Sequence, residues 1–157
     1  MSRVRGAVLL VLLIAMTARA AVAGESDVAS VAFYASGRET LLPMTWEMVR
    51  RLVHLCETQL QAADGAALRM SAAETLRQTR QHEVAIEIRY RQPVGFTIAY
   101  GRRRIHITHL QVPLTGTLGE PGETDFLYLG TPGPPYFRRG GKAAIVALLR
   151  ELELPLV

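Results

Sequence analysis

The four histidines of the chain are the first residues to test for a metal site or a general base. His106 and His109 differ in strand parity, so in a regular strand their side chains point to opposite faces, and only a bulge would bring both to one ion. His54 precedes Cys56 by two residues in a predicted helix, which separates them by about 200° around the helix axis. Neither pair has the spacing of a zinc site, so we expect no metal and no cofactor.

Nucleophilic catalysis has no recognisable motif in this sequence. There is no Gly-x-Ser-x-Gly elbow. Cys56, the single cysteine, can form no internal disulfide, and it lies on a predicted apolar helix face where burial makes a thiol a poor nucleophile. A Walker loop is not matched either, since Tyr136 stands at the first glycine position and Ala143 follows Lys142. The sequence identifies no catalytic residue and favours a protein without catalysis.

Two groups of residues are candidates for binding a partner. Arg102, Arg103 and Arg104 are the densest charge in the chain, and guanidinium groups pair well with carboxylates and phosphates. Tyr136 and Phe137 follow a proline-rich loop, and exposed aromatic side chains are common interface anchors. The alternatives are a solvated turn for the arginines and a packed loop over the sheet end for the aromatics.

The elements that must position these residues are centred on the stretch from Glu83 to Leu114. Apolar and polar residues alternate there, which is the period of half-buried strands. The parity of the apolar residues changes after Ile107, so we expect a β-bulge or a sharp bend at Thr108 and His109.

The turn in this stretch predicts how its strands pair. A two-residue type II′ turn at Gly101 and Arg102 sets Ile98 opposite Ile105. A three-residue loop would set Ile98 opposite His106 and bury little. Because a one-residue slip turns a whole strand face away from the core, the two-residue turn is preferred.

Helices are predicted before and after the strand region in the sequence. Thr45 is a good N-cap for a helix from about Trp46 to Ala63, whose apolar stripe has helical spacing. A second helix is expected over about Ala72–Gln81, and a third after Gly140. The stripe of the first helix comprises Trp46, Val49, Val53, Cys56, Leu60 and Ala63.

The order of these elements predicts the fold class. Strands that follow one another as hairpins, with helices before and after them, indicate an α+β fold. We expect a mainly antiparallel sheet of four to five strands with two to three helices packed to one side.

The first two dozen residues have the layout of a secretory signal peptide. Arg3 and Arg5 precede the apolar run Ala7 to Met16, and small residues permit cleavage after Ala20 or, as we prefer, after Ala23. The ten residues of that run are too few to cross roughly 30 Å of hydrocarbon. We expect a signal peptide over residues 1–23, a single α+β domain over residues 24–157, a secreted or periplasmic location, and no stable membrane insertion after cleavage.

The net charge gives no support for nucleic-acid binding. The full chain carries +4, but the predicted signal peptide contains Arg3, Arg5 and Arg19 and no acid. The remainder has 15 basic and 14 acidic residues, far from the excess that a nucleic-acid footprint needs. We expect no nucleic-acid partner.

The sequence favours a small exported envelope protein that binds a macromolecular partner without catalysis, as an inhibitor or an accessory factor. The arginines indicate an acidic protein or other acidic macromolecule of the envelope as partner. One alternative is a hydrolase or metal-dependent enzyme whose site is built from His82, His106 or His109 and a carboxylate. Two histidines and an acid within about 4 Å of each other would favour it. Another alternative is a purely structural envelope protein.

We expect the exported protein to begin at Gly24, because Ala21 and Ala23 supply the small residues that signal peptidase recognises. Intact-mass measurement of the protein recovered from the secreted or periplasmic fraction checks this. A mass that retains the run Ala7 to Met16 would contradict the secreted assignment.

Overall fold

The computed structural model describes residues 27–41, 44–67, 71–82, 84–115, 125–129 and 134–154. The predicted signal peptide, with its cleavage sites after Ala20 and Ala23, lies outside these ranges, as does most of the proline-rich loop before Tyr136. No helix within these ranges is long and apolar enough to span a membrane.

Strands outnumber helices, and all the strand pairs in the described ranges are antiparallel. In chain order the elements are β1 Val28–Ala35, β2 Arg38–Thr40, α1 Trp46–Gln61, β3 Gly65–Ala66, α2 Ala72–His82, β4 Ala85–Thr97, β5 Arg104–Pro113, β6 Asp125–Leu129, β7 Tyr136–Arg138 and α3 Gly141–Glu151. Within the sheet the strand order is β2-β1-β4-β5-β6-β7-β3. The predicted α+β class with a mainly antiparallel sheet is confirmed. Four longer strands form the predicted sheet, and three strands of two or three residues extend it.

The two faces of the sheet differ in chemistry because side chains alternate along each strand. One face, here called the apolar face, packs against α1 and α3, the two helices on one side of the sheet. It comprises Val31, Phe33, Ile86, Ile88, Leu110 and Val112, in one core cluster with Leu52, Cys56, Leu60, Ile145 and Leu149. Opposite to it, the polar face carries α2 and includes Tyr34, Glu87, Arg89, His109 and Gln111.

Helix α1 begins where its capping residue predicts, with the Thr45 hydroxyl accepting a hydrogen bond from the Met48 amide at 3.3 Å. Its apolar stripe is buried only in part. Val53 is buried and Val49 is half-buried, but Trp46 is 52% exposed, so the prediction that Trp46 lies in the buried stripe is wrong. Helical spacing gives the direction of a side chain, but it does not determine whether other elements cover the first turn of the helix.

The register of β4 and β5 differs from the prediction by two residues. Phe96, rather than Ile98, lies opposite Ile105. The turn is wider than two residues because the loop bonds elsewhere: the Ala99 amide donates to the Gln61 carbonyl and the Tyr100 amide to the Ala63 carbonyl, each at 2.8 Å. A shift of two residues keeps every side chain on its predicted face.

The pairing of β4 and β5 is interrupted next to Thr108, as predicted, but the bulge is not at Thr108 and His109 themselves. Pairing is regular up to Arg89 opposite His109 and resumes at Val94 opposite Ile107, so the additional residues lie in β4. Ile107 and Leu110 are both fully buried on the apolar face, as the change of parity requires.

We expect Cys56 to resist labelling in the folded protein, because it is fully buried and burial, followed by the charge of Glu57, raises its pKa to about 12. A maleimide or disulfide reagent at pH 8 should react only after denaturant is added. A variant with A144C, on the exposed side of α3, should gain one rapidly labelled thiol. Rapid labelling of the unsubstituted folded protein would contradict the burial.

Candidate functional site

A buried carboxylate, that of Glu87, is the centre of the polar face. The residue is 0% exposed and lies in the middle of the sheet, on β4. Arg80 of α2 approaches it as a fork, donating from Nη2 to Oε1 at 2.7 Å and from Nε to Oε2 at 2.9 Å. Arg89 donates from Nε to Oε1 at 2.9 Å. Two guanidinium groups therefore compensate one buried negative charge.

Around this centre the contacts extend to the sheet edge. Arg89 donates two further hydrogen bonds to the Glu39 carboxylate of β2, at 3.0 and 2.9 Å. The Tyr34 hydroxyl accepts a hydrogen bond from Arg89 and donates one to Glu39 at 2.8 Å. The hydrogen bond from Arg89 lowers the pKa of Glu39, and burial raises the pKa of Tyr34. The Arg80 guanidinium lies over the Tyr34 ring, 5.5 Å from its centroid.

On the β5 side the contacts with Glu87 are looser. Gln111 is fully buried and its amide donates to Glu87 at 3.4 Å, while its Oε1 accepts no hydrogen bond from a described residue. His109 Nε2 lies 4.0 Å from the carboxylate, and its Nδ1 shares a hydrogen bond with the Thr108 hydroxyl at 2.9 Å. Burial lowers the pKa of His109 despite the nearby Glu87, and the two arginines add to that effect. At pH 7 His109 is therefore a neutral neighbour of the cluster.

This cluster has the chemistry of a cross-link rather than of a catalytic site. The Glu87 oxygens are occupied by guanidinium and amide donors, so they offer little to a substrate proton. Two arginines face two glutamates, which leaves no net charge to attract a ligand. Within the described ranges, no group of three or more histidines, cysteines and acids could hold a metal ion.

The structure does not bring together the residues of the enzymatic alternative. His109 lies near Glu87, but His82 and His106 are exposed, and neither forms an ion pair with a described carboxylate. The pattern of two histidines and one acid is thus not formed by the described residues.

The predicted partner-binding residues have unlike surroundings. Tyr136 is only 4% exposed and belongs to the core. Phe137 is half-buried, and its ring lies so close to Gly65 that a Cβ there would be 2.2 Å from it. Both side chains therefore pack within the fold. This agrees with the alternative of a packed loop rather than with exposed interface anchors.

The arginines, in contrast, are exposed to solvent. Arg102, Arg103 and Arg104, here called the arginine turn, are all exposed, and none forms an ion pair with a described residue. Arg102 has φ +49° and Gly101 has φ +63°, so two successive residues are left-handed.

Two accessible apolar residues were missed by the sequence analysis. Leu41 is 68% exposed and Trp46 is 52% exposed, near the beginning of α1. Helical spacing placed Trp46 in the core, and nothing in the sequence around Leu41 distinguishes it from an ordinary core leucine.

We expect E87Q to lower the free energy of unfolding by about 2 kcal/mol, because the two guanidinium groups would lose their buried counter-charge while remaining partly hydrated. Urea denaturation measures the change. The control is E74Q, which removes an exposed carboxylate paired with Arg77 on α2 and should change stability little. Equal stability of E87Q and the unsubstituted protein would show that the cluster does not hold α2 on the sheet.

Comparison of the chain with protein-family models, with curated proteins and with solved structures finds no match.

Proposed function

We propose that this chain is a small exported protein of the cell envelope that binds an acidic macromolecular partner without catalysis, and that the arginine turn is its contact surface. Export is supported by the signal-peptide layout of residues 1–23. The observation that carries the binding proposal is the exposure of three consecutive arginines without an ion pair to a described residue.

The arginine turn differs from the other described arginines because three exposed arginines are consecutive in it. Arg80 and Arg89 are neutralised by Glu87 and Glu39, and Arg51 of α1 pairs with Glu151 of α3 at 2.8 Å. The arginine turn instead concentrates like charges, which repel one another by about 1 kcal/mol per pair at 4 Å in water. Carboxylates of a partner would relieve this repulsion and supply bidentate acceptors.

The turn is also held in place before any partner arrives. The Ile98 amide donates to the Arg103 carbonyl at 2.9 Å, which closes the loop. The amides of Ala99 and Tyr100 fix it to the end of α1. A loop ordered in advance loses less conformational entropy on binding, so more of the interaction energy appears as affinity. The left-handed Arg102, which costs roughly 1 kcal/mol, fits a surface whose shape is maintained for binding.

The enzymatic alternative has less support, because its histidines do not converge in the described ranges. In a purely structural protein the arginines would form a solvated turn, and loss or retention of a partner by a variant of the turn separates that role from binding.

We expect R102Q/R103Q/R104Q to lose its envelope partner. The mature protein would be immobilised and exposed to envelope extract at increasing salt, and bound proteins would be identified by mass spectrometry. Charge pairing predicts that a defined partner is retained at 0.1 M salt, released as salt rises, and absent from the triple variant. The melting curve of the variant should change little, since exposed substitutions usually shift stability by about 0.5 kcal/mol or less.

The matched control is R38Q/R77Q/R150Q, which removes the same charge from exposed positions on β2, α2 and α3. It should retain the partner. If the triple variant at the turn binds the same proteins as the unsubstituted chain, the arginine turn is a solvated turn and the proposal fails.

A further inference from the structure

We infer that the contact surface continues from the arginine turn along β5 to His106, and that it accepts an extended acidic peptide segment of a partner protein. This inference rests on the proposed function and specifies the chemistry and conformation of the partner. It concerns the part of the polar face that lies away from Glu87, towards the hairpin loop.

Arg104 and His106 project from the same face of β5. On β4, Thr97 lies opposite Arg104 and Gly95 lies opposite His106. Ile105, which lies between the two basic residues in β5, faces the other way and is paired with Phe96 on the apolar face. Both Arg104 and His106 are exposed. This end of the polar face thus presents basic side chains to solvent, whereas Glu87 and Gln111 at the other end are fully buried.

Gly95 lets these two side chains come together. A Cβ built on Gly95 would lie 3.2 Å from His106 Nε2 and 3.3 Å from both Nε and Nη2 of Arg104. Nitrogen atoms of both residues therefore lie over the glycine, and the His106 Nε2 is no more than 6.5 Å (3.2 plus 3.3 Å) from either Arg104 nitrogen. Glycine weakens the interior of a strand and often marks a close approach to its backbone, and here the approaching groups are hydrogen-bonding nitrogens. A carboxylate that binds above these nitrogens can accept hydrogen bonds from both residues.

The strand period determines which partner fits. Residues two apart in a strand are separated by roughly 6.6–6.8 Å, and alternate side chains of an extended peptide have the same separation. A peptide with acids at alternate positions, lying along β5, would place one carboxylate at Arg104 and His106, over Gly95, and the next towards Arg102 and Arg103. A compact acidic helix or a single carboxylate would engage only part of this surface.

A lipid surface fits less well. Lipid-binding clusters typically contain four to eight Lys or Arg, at about 1 kcal/mol each, and the arginine turn has three. The exposed Trp46, which would serve as an apolar anchor, is at the opposite end of α1 from the residues that bond the loop. That separation is roughly 24 Å along the helix.

The test uses G95A, which keeps all the charges and places a methyl group where Arg104 and His106 converge. The probe is a fluorescent octapeptide of alternating Glu and Thr, with binding to the mature protein followed by anisotropy at low salt. We expect G95A to weaken binding at least about fivefold, which is about 1 kcal/mol at 25 °C. The melting temperature should be unchanged or higher, because Ala suits a strand interior better than Gly.

The control T97A changes an exposed neighbour on the same strand and face, and it should bind the peptide as the unsubstituted chain does. An octapeptide of four Glu followed by four Thr should bind more weakly than the alternating peptide. Vesicles of anionic phospholipid should bind no more strongly to the unsubstituted chain than to R102Q/R103Q/R104Q.

Unchanged affinity of G95A for the alternating peptide would overturn the inference, as would equal binding of the block peptide. If R102Q/R103Q/R104Q nevertheless loses its envelope partner, the proposed function stands and only the extension to Gly95 and His106 is wrong. If G95A keeps its affinity for the alternating peptide and R102Q/R103Q/R104Q keeps its envelope partner, both proposals fail.

Discussion

The fold depends on the compensation of one charge, the carboxylate of Glu87 in the middle of the sheet. A buried ion without partners costs several kcal/mol, so this position requires donors from more than one element. Arg80 supplies them from α2 and Arg89 from the same strand, and Arg89 also binds Glu39 at the edge of the sheet. The attachment of α2 is therefore directional, unlike the apolar contacts that hold α1 and α3 on the other face.

This arrangement divides the polar face into two regions with opposite uses for arginine. Near Glu87 the guanidinium groups are neutralised within the fold, and they hold elements together. At the hairpin loop they have no described counter-ion and are available to another molecule. The irregular segment of β4 lies between the two regions, where the pairing with β5 is interrupted after Arg89.

Much of the fold could be predicted from local patterns, whereas the polar cluster could not. Thr45 defined the beginning of α1, and the change of parity after Ile107 located the irregularity between β4 and β5. The register was wrong by two residues because the loop is fixed by carbonyls of a distant helix, which turn propensities do not include. Glu87 occupied a polar position in the alternation, where a solvated side chain is the default expectation. Only the three-dimensional position of α2 shows that this acid is buried.

The place where the hairpin loop attaches to α1 also affects the electrostatic environment of the loop. Because the Ala99 and Tyr100 amides bond to carbonyls of Gln61 and Ala63, the loop is held against the carboxyl end of α1. The peptide dipoles of a helix sum to a partial negative charge at that end, and α1 has no basic residue of its own in the last turn. Arg102 and Arg103 follow within three residues of Tyr100, in the loop that is held at this end. The helix dipole thus favours the accumulation of positive charge at the loop while leaving the guanidinium groups exposed to solvent.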